Sequence, residues 1–356
     1  MKHILRGLTV FVAILAMNSG VFNTAKATHI IGGELIYRCL DPTTNYYQFT
    51  VKLYRACKVD EFGQPTSIYF DQVIYVSLYD SNDVLVQQFD MDLIQETDTL
   101  DNSTYNICLF APPDVCVEEG IYTDKFFLPT PPSPNMHYTM TYQRCCRNDL
   151  IQNVILPLGV GAAWVLNVPD SSKAYCNSSP VFKNYPPTII CLNDTMWYDH
   201  SAVDLDGDSL VYALCEAQTI ASFNQGGGVQ NPAEPTSFYY YVPYFPPYNF
   251  QYPINCSGPG GDTLKIDPQT GLLTIKPTQA GMWVVAVCVY EYRNGILINE
   301  HKRDFQFNVA SCLTDPMTQF TAKPDSCDPR IVQFFYGGND VANWNWDFGV
   351  SNTLDD

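Results

Sequence analysis

The chain has 356 residues, with 19 Lys and Arg against 37 Asp and Glu, a net charge of −18. An excess of that size disfavours nucleic acid and anionic membrane surfaces as partners and favours divalent cations. Aromatics make up 14% of the residues, with 24 Tyr and 25 Pro, and charged residues only 16%, a composition of strands and turns.

Lys2 and Arg6 precede the apolar run Leu8 to Met17, and Ala25-Lys26-Ala27 forms a small-x-small cleavage site, the layout of a secretory signal peptide over residues 1–27. Cleavage there would start the mature chain at Thr28, which offers no thiol for a lipid. It would leave 16 basic against 37 acidic residues, a charge of −21. The run is too short to span a bilayer, and no later stretch of about 20 apolar residues follows it. The expected location is extracellular or the bacterial cell surface. All 13 cysteines lie beyond residue 27 and no CxxC occurs, so export points to disulfides with one cysteine left over. Cys108 and Cys116, which enclose Pro112-Pro113, are the first pair expected to bridge, and Cys312 with Cys327 the second.

From Thr28 onward the apolar pattern has period two. "ELIYRCL", "YYQFTVKLYRAC", "QVIYVSLYD", "VLVQQFD", "YTDKFFL" and "MHYTMTYQRCC" alternate, or run in β-branched and aromatic residues, between Asp, Asn, Pro and Gly clusters. The expectation is an all-β chain of tandem immunoglobulin-like β-sandwich domains, the first over residues 28–170. In "YQRCCRN", Arg144 and Arg147 are expected to pair with local carboxylates or carbonyls around stapling cysteines.

A second domain is expected over 175–312, with "SLVYALC", "DTLKIDPQTGLLTIKP", "MWVVAVCVYEY" and "KRDFQFNV". Hairpins are expected at "DPQTG" and at Asn294-Gly295, the strongest short hairpin signal. Its long loop from Ala221 to Pro259 carries "SFYYYVPYFPPYNFQYP". Tyr239, Tyr240 and Tyr244 there form either a binding surface for an extracellular protein or glycan, or a lid packed over one sheet. Residues 313–356 begin a third unit.

"DLDGDSLVY", residues 204–212, sets Asp204, Asp206 and Asp208 at alternate positions with Gly207 between the last two. Ca2+ takes six to eight oxygen ligands, and alternate carboxylates around a turn can converge on one ion; Gly207 permits the turn by reaching positive φ. The competing reading is an Asp-Gly-Asp turn whose side chains cap backbone amides. Mutual repulsion among the carboxylates favours the ion. This is no EF-hand, because the twelfth position from Asp204 is Cys215.

"SPVFKNYPP", "SAVDLDGDSLVYAL", "IDPQTGLLTIKPTQAGMWVVAVCVYEY" and "FQFNV" together resemble a cadherin-like immunoglobulin-type domain of bacterial surface proteins. That resemblance places calcium ligands on Asp204 and Asp206, with Asp208 a further candidate, and on Glu291 in "VYEYR", where many relatives have Asp. "VQFFYGGNDVANWNWDFG" resembles the first half of a PKD domain, with Trp346-Asp347-Phe348-Gly349 as its signature and its usual continuation absent, as in a truncated module of a longer polypeptide. "THIIGGELIYRCL", "CVEEGIY", "YQRCCRN" and "EYRNG...HKRDFQFNV" resemble large secreted proteins of gliding Bacteroidota. These are associated with type IX secretion and with gliding or adhesion.

There is no GxSxG, HExxH, P-loop or dinucleotide fingerprint, so the chain is expected not to be an enzyme. His29, His137, His200 and His301 are dispersed; His200 is the one near the acidic stretch, where it either joins a His–carboxylate centre or, the favoured reading, is a hydrogen-bonded or exposed histidine. The leading expectation is a non-catalytic surface protein for adhesion or scaffolding with calcium-braced modules. The alternative is an accessory or carbohydrate-binding region of a secreted hydrolase.

Overall fold

The computed structural model describes residues 30–56, 70–97, 100, 109–110, 117–129, 136–145, 147–148, 150–220, 235–254, 264–314, 320–324 and 332–336. The fold is all-β; a single 3-10 turn at Pro157–Gly159 is the only helical element among the described residues. The 1–27 leader, the pairing of Cys108 with Cys116, and Trp346 to Gly349 lie outside the described residues. Of the expected PKD unit, the hairpin of Phe320–Pro324 with Val332–Tyr336 is described.

Ten strands form one hydrogen-bonded path. They are β1 (Ile30–Asp41), β2 (Tyr46–Ala56), β3 (Val73–Asp80), β4 (Leu85–Thr97), β5 (Val117–Phe127), β6 (Tyr138–Arg144), β7 (Ala162–Val168), β8 (Ser209–Cys215), β9 (Gly281–Arg293) and β10 (Ile296–Ala310). Their order is β8-β9-β10-β1-β2-β5-β4-β3-β6-β7. β4 pairs with β3 through Leu85 to Asp92 and with β5 through Leu93 to Thr97, with an irregularity between Leu93 and Gln95. A strand that changes partners in this way makes the corner of a sandwich. Tyr47, Phe49, Val51 and Leu53 on β2 face Ile74, Val76 and Leu78 on β3 and Tyr142 and Trp164 on β6 and β7, all buried in one core.

A second core gathers Trp283, Val285 and Val287 of β9 with Phe305 and Phe307 of β10 and with Met196, Leu273 and Ile275. The last three come from a small sheet of Met196–Asp199, Leu272–Ile275 and Lys265–Ile266. On the opposite face of β9, Val284 and Ala286 pack with Ile151, Val160 and Val242. β9 is therefore covered on both faces, which is why "MWVVAVCV" reads as a continuous apolar run rather than an alternation.

The two cores lie on either side of residues 169–189, yet the sheet does not stop between them. β1 pairs with β10 (Gly32 opposite Phe305, Glu34 opposite Arg303) while its other edge pairs with β2. Gly32-Gly33 makes this crossing possible: a Cβ on Gly32 would lie 2.5 Å from the Asp304 carbonyl, and one on Gly33 2.9 Å from the Trp164 ring. Two buried ion pairs fasten the same seam. Arg303 donates to both carboxylate oxygens of Glu34, at 3.2 and 3.0 Å, and Arg147 binds both oxygens of Asp304 as well as the Gly161 and Gln218 carbonyls. Arg144 pairs with Asp71. The arginines of "YQRCCRN" thus meet carboxylates and carbonyls, as their setting suggested.

Disulfides join Cys39 to Cys176, Cys191 to Cys312 and Cys215 to Cys288, and Cys145 is also disulfide-bonded. The expected pairing of Cys312 with Cys327 is corrected. Ile190–Cys191 runs parallel to the end of β10, with Cys191 opposite Ala310. That brings the Cα atoms of Cys191 and Cys312 to 5.3 Å, well inside bridging range.

Candidate metal centre

Both expected hairpins form, and the second shapes the site. Asn294 and Gly295 take φ of 53° and 78°, the two positive values of a type I′ turn, and join β9 to β10. β8 pairs with β9 so that Ser209 lies opposite Tyr292 and Leu210 opposite Glu291. One step earlier, Asp208 therefore comes level with Arg293.

Before β8 the chain coils on itself. Asp204 Oδ1 accepts the backbone N–H groups of Asp206 and Asp208, each at 2.9 Å, and Gly207 at φ 84° completes the turn. This is the amide-capping geometry of the competing reading, and it uses only Oδ1 of Asp204. The result is that Asp204, Asp206, Asp208 and Glu291 each bring a carboxylate oxygen within 4.8 Å of the others. All four residues singled out from the sequence meet, in an all-oxygen group that can hold a metal ion.

A third segment closes the group. Ser178 donates its N–H to Asp206 Oδ2 at 2.6 Å, and Asn177 donates from Nδ2 to Glu291 Oε1 at 2.8 Å and to Tyr37 Oη at 3.0 Å. Arg293 donates from Nε and Nη2 to the two oxygens of Asp208, at 2.8 and 2.5 Å, and its Nη2 lies 3.7 Å from Asp206. Asn177, Ser178 and Arg293 were not singled out from the sequence. Arg293 carried a signal all the same, since it stands two residues after Glu291 and so shares its face of the strand.

The electrostatics follow from one guanidinium facing four carboxyl groups. The Arg293 hydrogen bonds hold Asp208 below the usual carboxylate range against the desolvation that opposes them. Desolvation raises Asp204, and the neighbouring Asp208 and Asp206 charges add to it. Burial, reinforced by Asp208 and Asp204, pushes Glu291 up to about 9. Among the described residues, nothing donates a hydrogen bond to Asp204 Oδ2 or to Glu291 Oε2, both buried.

His200 does not join the carboxylates. It is buried between the rings of Phe182, Tyr198 and Phe305. The histidine that approaches is His301, whose Nε2 lies 3.6 Å from Glu291 Oε2; burial holds it down at about 3. Burial, with the Arg303 charge nearby, lowers His200 well below the usual 6.5. The sign is then fixed: the unfolded chain takes up a proton near pH 6.5 and the folded chain does not, so stability present above that pH drains away as pH falls. Urea unfolding at pH 7 and pH 5 should show a loss of up to about 2 kcal/mol from this residue, the limit for a histidine that stays neutral in the folded chain. His200→Leu should shrink the difference by that amount, because neither ring nitrogen has a hydrogen-bond partner among the described residues. An unchanged pH dependence in the variant would assign the loss elsewhere.

The tyrosines separate. Tyr239–Tyr241 forms a short strand on Gln218–Ile220, where Tyr239 and Tyr241 are edge-on neighbours at 6.0 Å. Tyr240, between them, faces the other way. Tyr244 is half-buried, bridged to Val154, and burial pushes its phenol up to about 12. Between residues 235 and 254 the exposed aromatics are Phe238, Tyr239, Tyr240, Tyr241, Phe245 and Tyr252.

No protein-family model, curated protein or solved structure matches the chain. Among the described residues, no helix is long and apolar enough to cross a membrane.

Proposed function

We propose that the chain is a non-catalytic exported surface protein, used for adhesion or scaffolding and allied to the cadherin-like and PKD-bearing proteins of gliding Bacteroidota, in which Ca2+ braces the junction of its β-modules. The observation that carries the reading is the convergence of Asp204, Asp206, Asp208 and Glu291 within 4.8 Å. They sit where the 177–179 segment, β8 and β9 meet, beside Tyr37 of β1. Hard oxygen ligands with no thiolate or imidazole among them suit Ca2+ rather than zinc or copper. An ion there would tie β8 to β9 and, through Asn177 and Ser178, to the segment that rests on Tyr37 of β1. The disulfides support export, since such bridges persist in oxidising compartments.

Calcium titration followed by thermal unfolding tests the proposal. The expected dissociation constant is on the order of 10⁻⁴ to 10⁻³ M, the range of extracellular modules. Stabilisation should reach about 1.4 kcal/mol at ten times that constant and grow with calcium. Asp204→Asn with Asp206→Asn should abolish most of the response while the protein still folds in chelator. Equal melting temperatures in calcium and chelator would leave the carboxylates as a hydrogen-bonded turn.

A second reading, an extracellular glycan-binding or hydrolase-accessory region, is favoured by the exposed aromatics at Phe238–Tyr241. Glycan-array binding lost in Tyr239→Ala and Tyr241→Ala, and retained in the aspartate variants, would support it over the first.

A further inference from the structure

We propose that Arg293 is a tethered counter-cation, occupying the carboxylate cluster when no metal is bound and released towards solvent when Ca2+ enters, so that it sets the calcium concentration at which the module stiffens. This rests on the calcium reading of the same four carboxylates.

The geometry gives Arg293 the place of a ligand ion rather than of an ordinary surface partner. Its guanidinium grips Asp208 through both oxygens, in the fork arrangement that makes arginine a strong carboxylate binder. It stands 3.7 Å from Asp206 and donates to Asn177 Oδ1 at 2.7 Å. Asn177 in turn holds Glu291. One arginine is thus hydrogen-bonded or close to three of the residues that frame the cluster. It leaves the group incomplete all the same. Glu291 is fully buried, yet its Oε2 accepts no hydrogen bond from the described residues, and neither does the buried Oδ2 of Asp204. A single positive charge has been spread over Asp208 and Asp206, and the oxygens it does not reach point to a second, more highly charged occupant.

Displacement also has a route. Arg293 is the last residue of β9, directly before the Asn294-Gly295 turn, and its side chain is about a quarter exposed. A change of rotamer carries the guanidinium into water without disturbing the β8–β9 pairing. Asp208 then offers both oxygens to the ion, and Asn177 loses the bond from Arg293 while keeping those to Tyr37 and Glu291. Charge balance favours the exchange: a divalent ion among oxygens that lie within 4.8 Å of one another offsets more of the aspartate charge than a guanidinium bound squarely to Asp208 alone. The competing cation weakens calcium binding by the strength of its own grip, and on the order of tenfold is expected for a bidentate, partly screened pair.

The test is calcium titration calorimetry on the whole protein and on Arg293→Lys and Arg293→Gln. Arg293→Gln should bind Ca2+ on the order of tenfold more tightly than the parent, and Arg293→Lys, which keeps the charge, should stay within about threefold. Equal or weaker binding by Arg293→Gln overturns the proposal while leaving the calcium reading intact. No binding by any of the three proteins overturns both. Should Arg293→Gln fail to fold, the parent alone decides by NMR: the Arg293 Nε–H resonance, shifted by its bond to Asp208, should move to a solvent-exposed position at calcium saturation. If it stays where it was in chelator, Arg293 is a permanent part of the site and no exchange occurs.

Discussion

Glu34→Gln is expected to destabilise the protein by about 3–5 kcal/mol, because it removes one partner of a buried ion pair and strands the other. Both Glu34 and Arg303 are 1% exposed. Burial alone would raise the Glu34 carboxyl, but the charges of Arg303 and Lys52 overcome it and hold the group below its usual range. Tyr54 adds a hydrogen bond to Oε1 at 3.2 Å. Arg303 also donates to the Asn184 carbonyl at 2.8 Å and lies 3.9 Å from the centre of the Phe182 ring. A glutamine of the same shape keeps the packing but loses the charge and turns one acceptor oxygen into an N–H donor facing other donors, so the cost combines lost charge with a lost hydrogen bond. The double change Glu34→Leu with Arg303→Met should recover most of the loss, since apolar replacements of a buried pair are often neutral. Urea unfolding of the three proteins measures this. A single-variant cost below 1 kcal/mol would mean that water reaches the pair and that the β1–β10 seam is held by its backbone bonds and the Arg147–Asp304 pair.

That seam is the part of the fold least legible in the sequence. Glu34 and Arg303 are 269 residues apart, and no local pattern says that the first strand will join the last long one rather than close its own sheet. The Gly32-Gly33 pair was the visible trace, since two glycines in a strand signal a close approach of backbone, but not what approaches. What depends on neighbouring residues was readable: the alternation of β2 and β3, the apolar run of β9, and the turns at Asp267–Gly271 and Asn294-Gly295. The convergence of Glu291 with the aspartates was implied by a resemblance across the whole β8–β9 stretch, not by any local spacing. Cys312 was misassigned because proximity in sequence favoured Cys327, whereas the two-residue strand Ile190–Cys191 decides the pairing through its parallel docking on β10. His200, expected to be hydrogen-bonded or exposed rather than a ligand, is buried with neither ring nitrogen bonded among the described residues, for a similar reason. Its nearness to Asp204 in sequence is overruled by the pairing of Met196–Asp199 with Leu272–Ile275, after which its ring lies among aromatics.

Cys39→Ala with Cys176→Ala should cost about 2–5 kcal/mol, the usual penalty for losing a native bridge, and at the upper part of that range because the bridge closes a long loop. The sequence separation is 137 residues. The loss should not be confined to stability. Cys176 stands immediately before Asn177 and Ser178, which bind Glu291 and Asp206, and the 178–179 segment is otherwise held on β1 by hydrogen bonds to Tyr37 and Cys39. With the bridge cut, hydrogen bonds alone, these and the one from Asn177 to Tyr37 Oη, must fix the position of two groups that orient the carboxylates. Ordering them then becomes part of the free energy of ion binding, and calcium affinity should fall several-fold along with the melting temperature. A variant that loses stability but binds calcium as the parent does would show that the segment is positioned by its hydrogen bonds, and the bridge would then act on the unfolded chain alone. A variant that loses neither would show that the loop was already restrained from within. Joint loss would make the bridge part of the site as well as of the fold: it sits where the first core, the connecting segment and the carboxylates adjoin, and a disulfide there sets the distance across which the ion must reach.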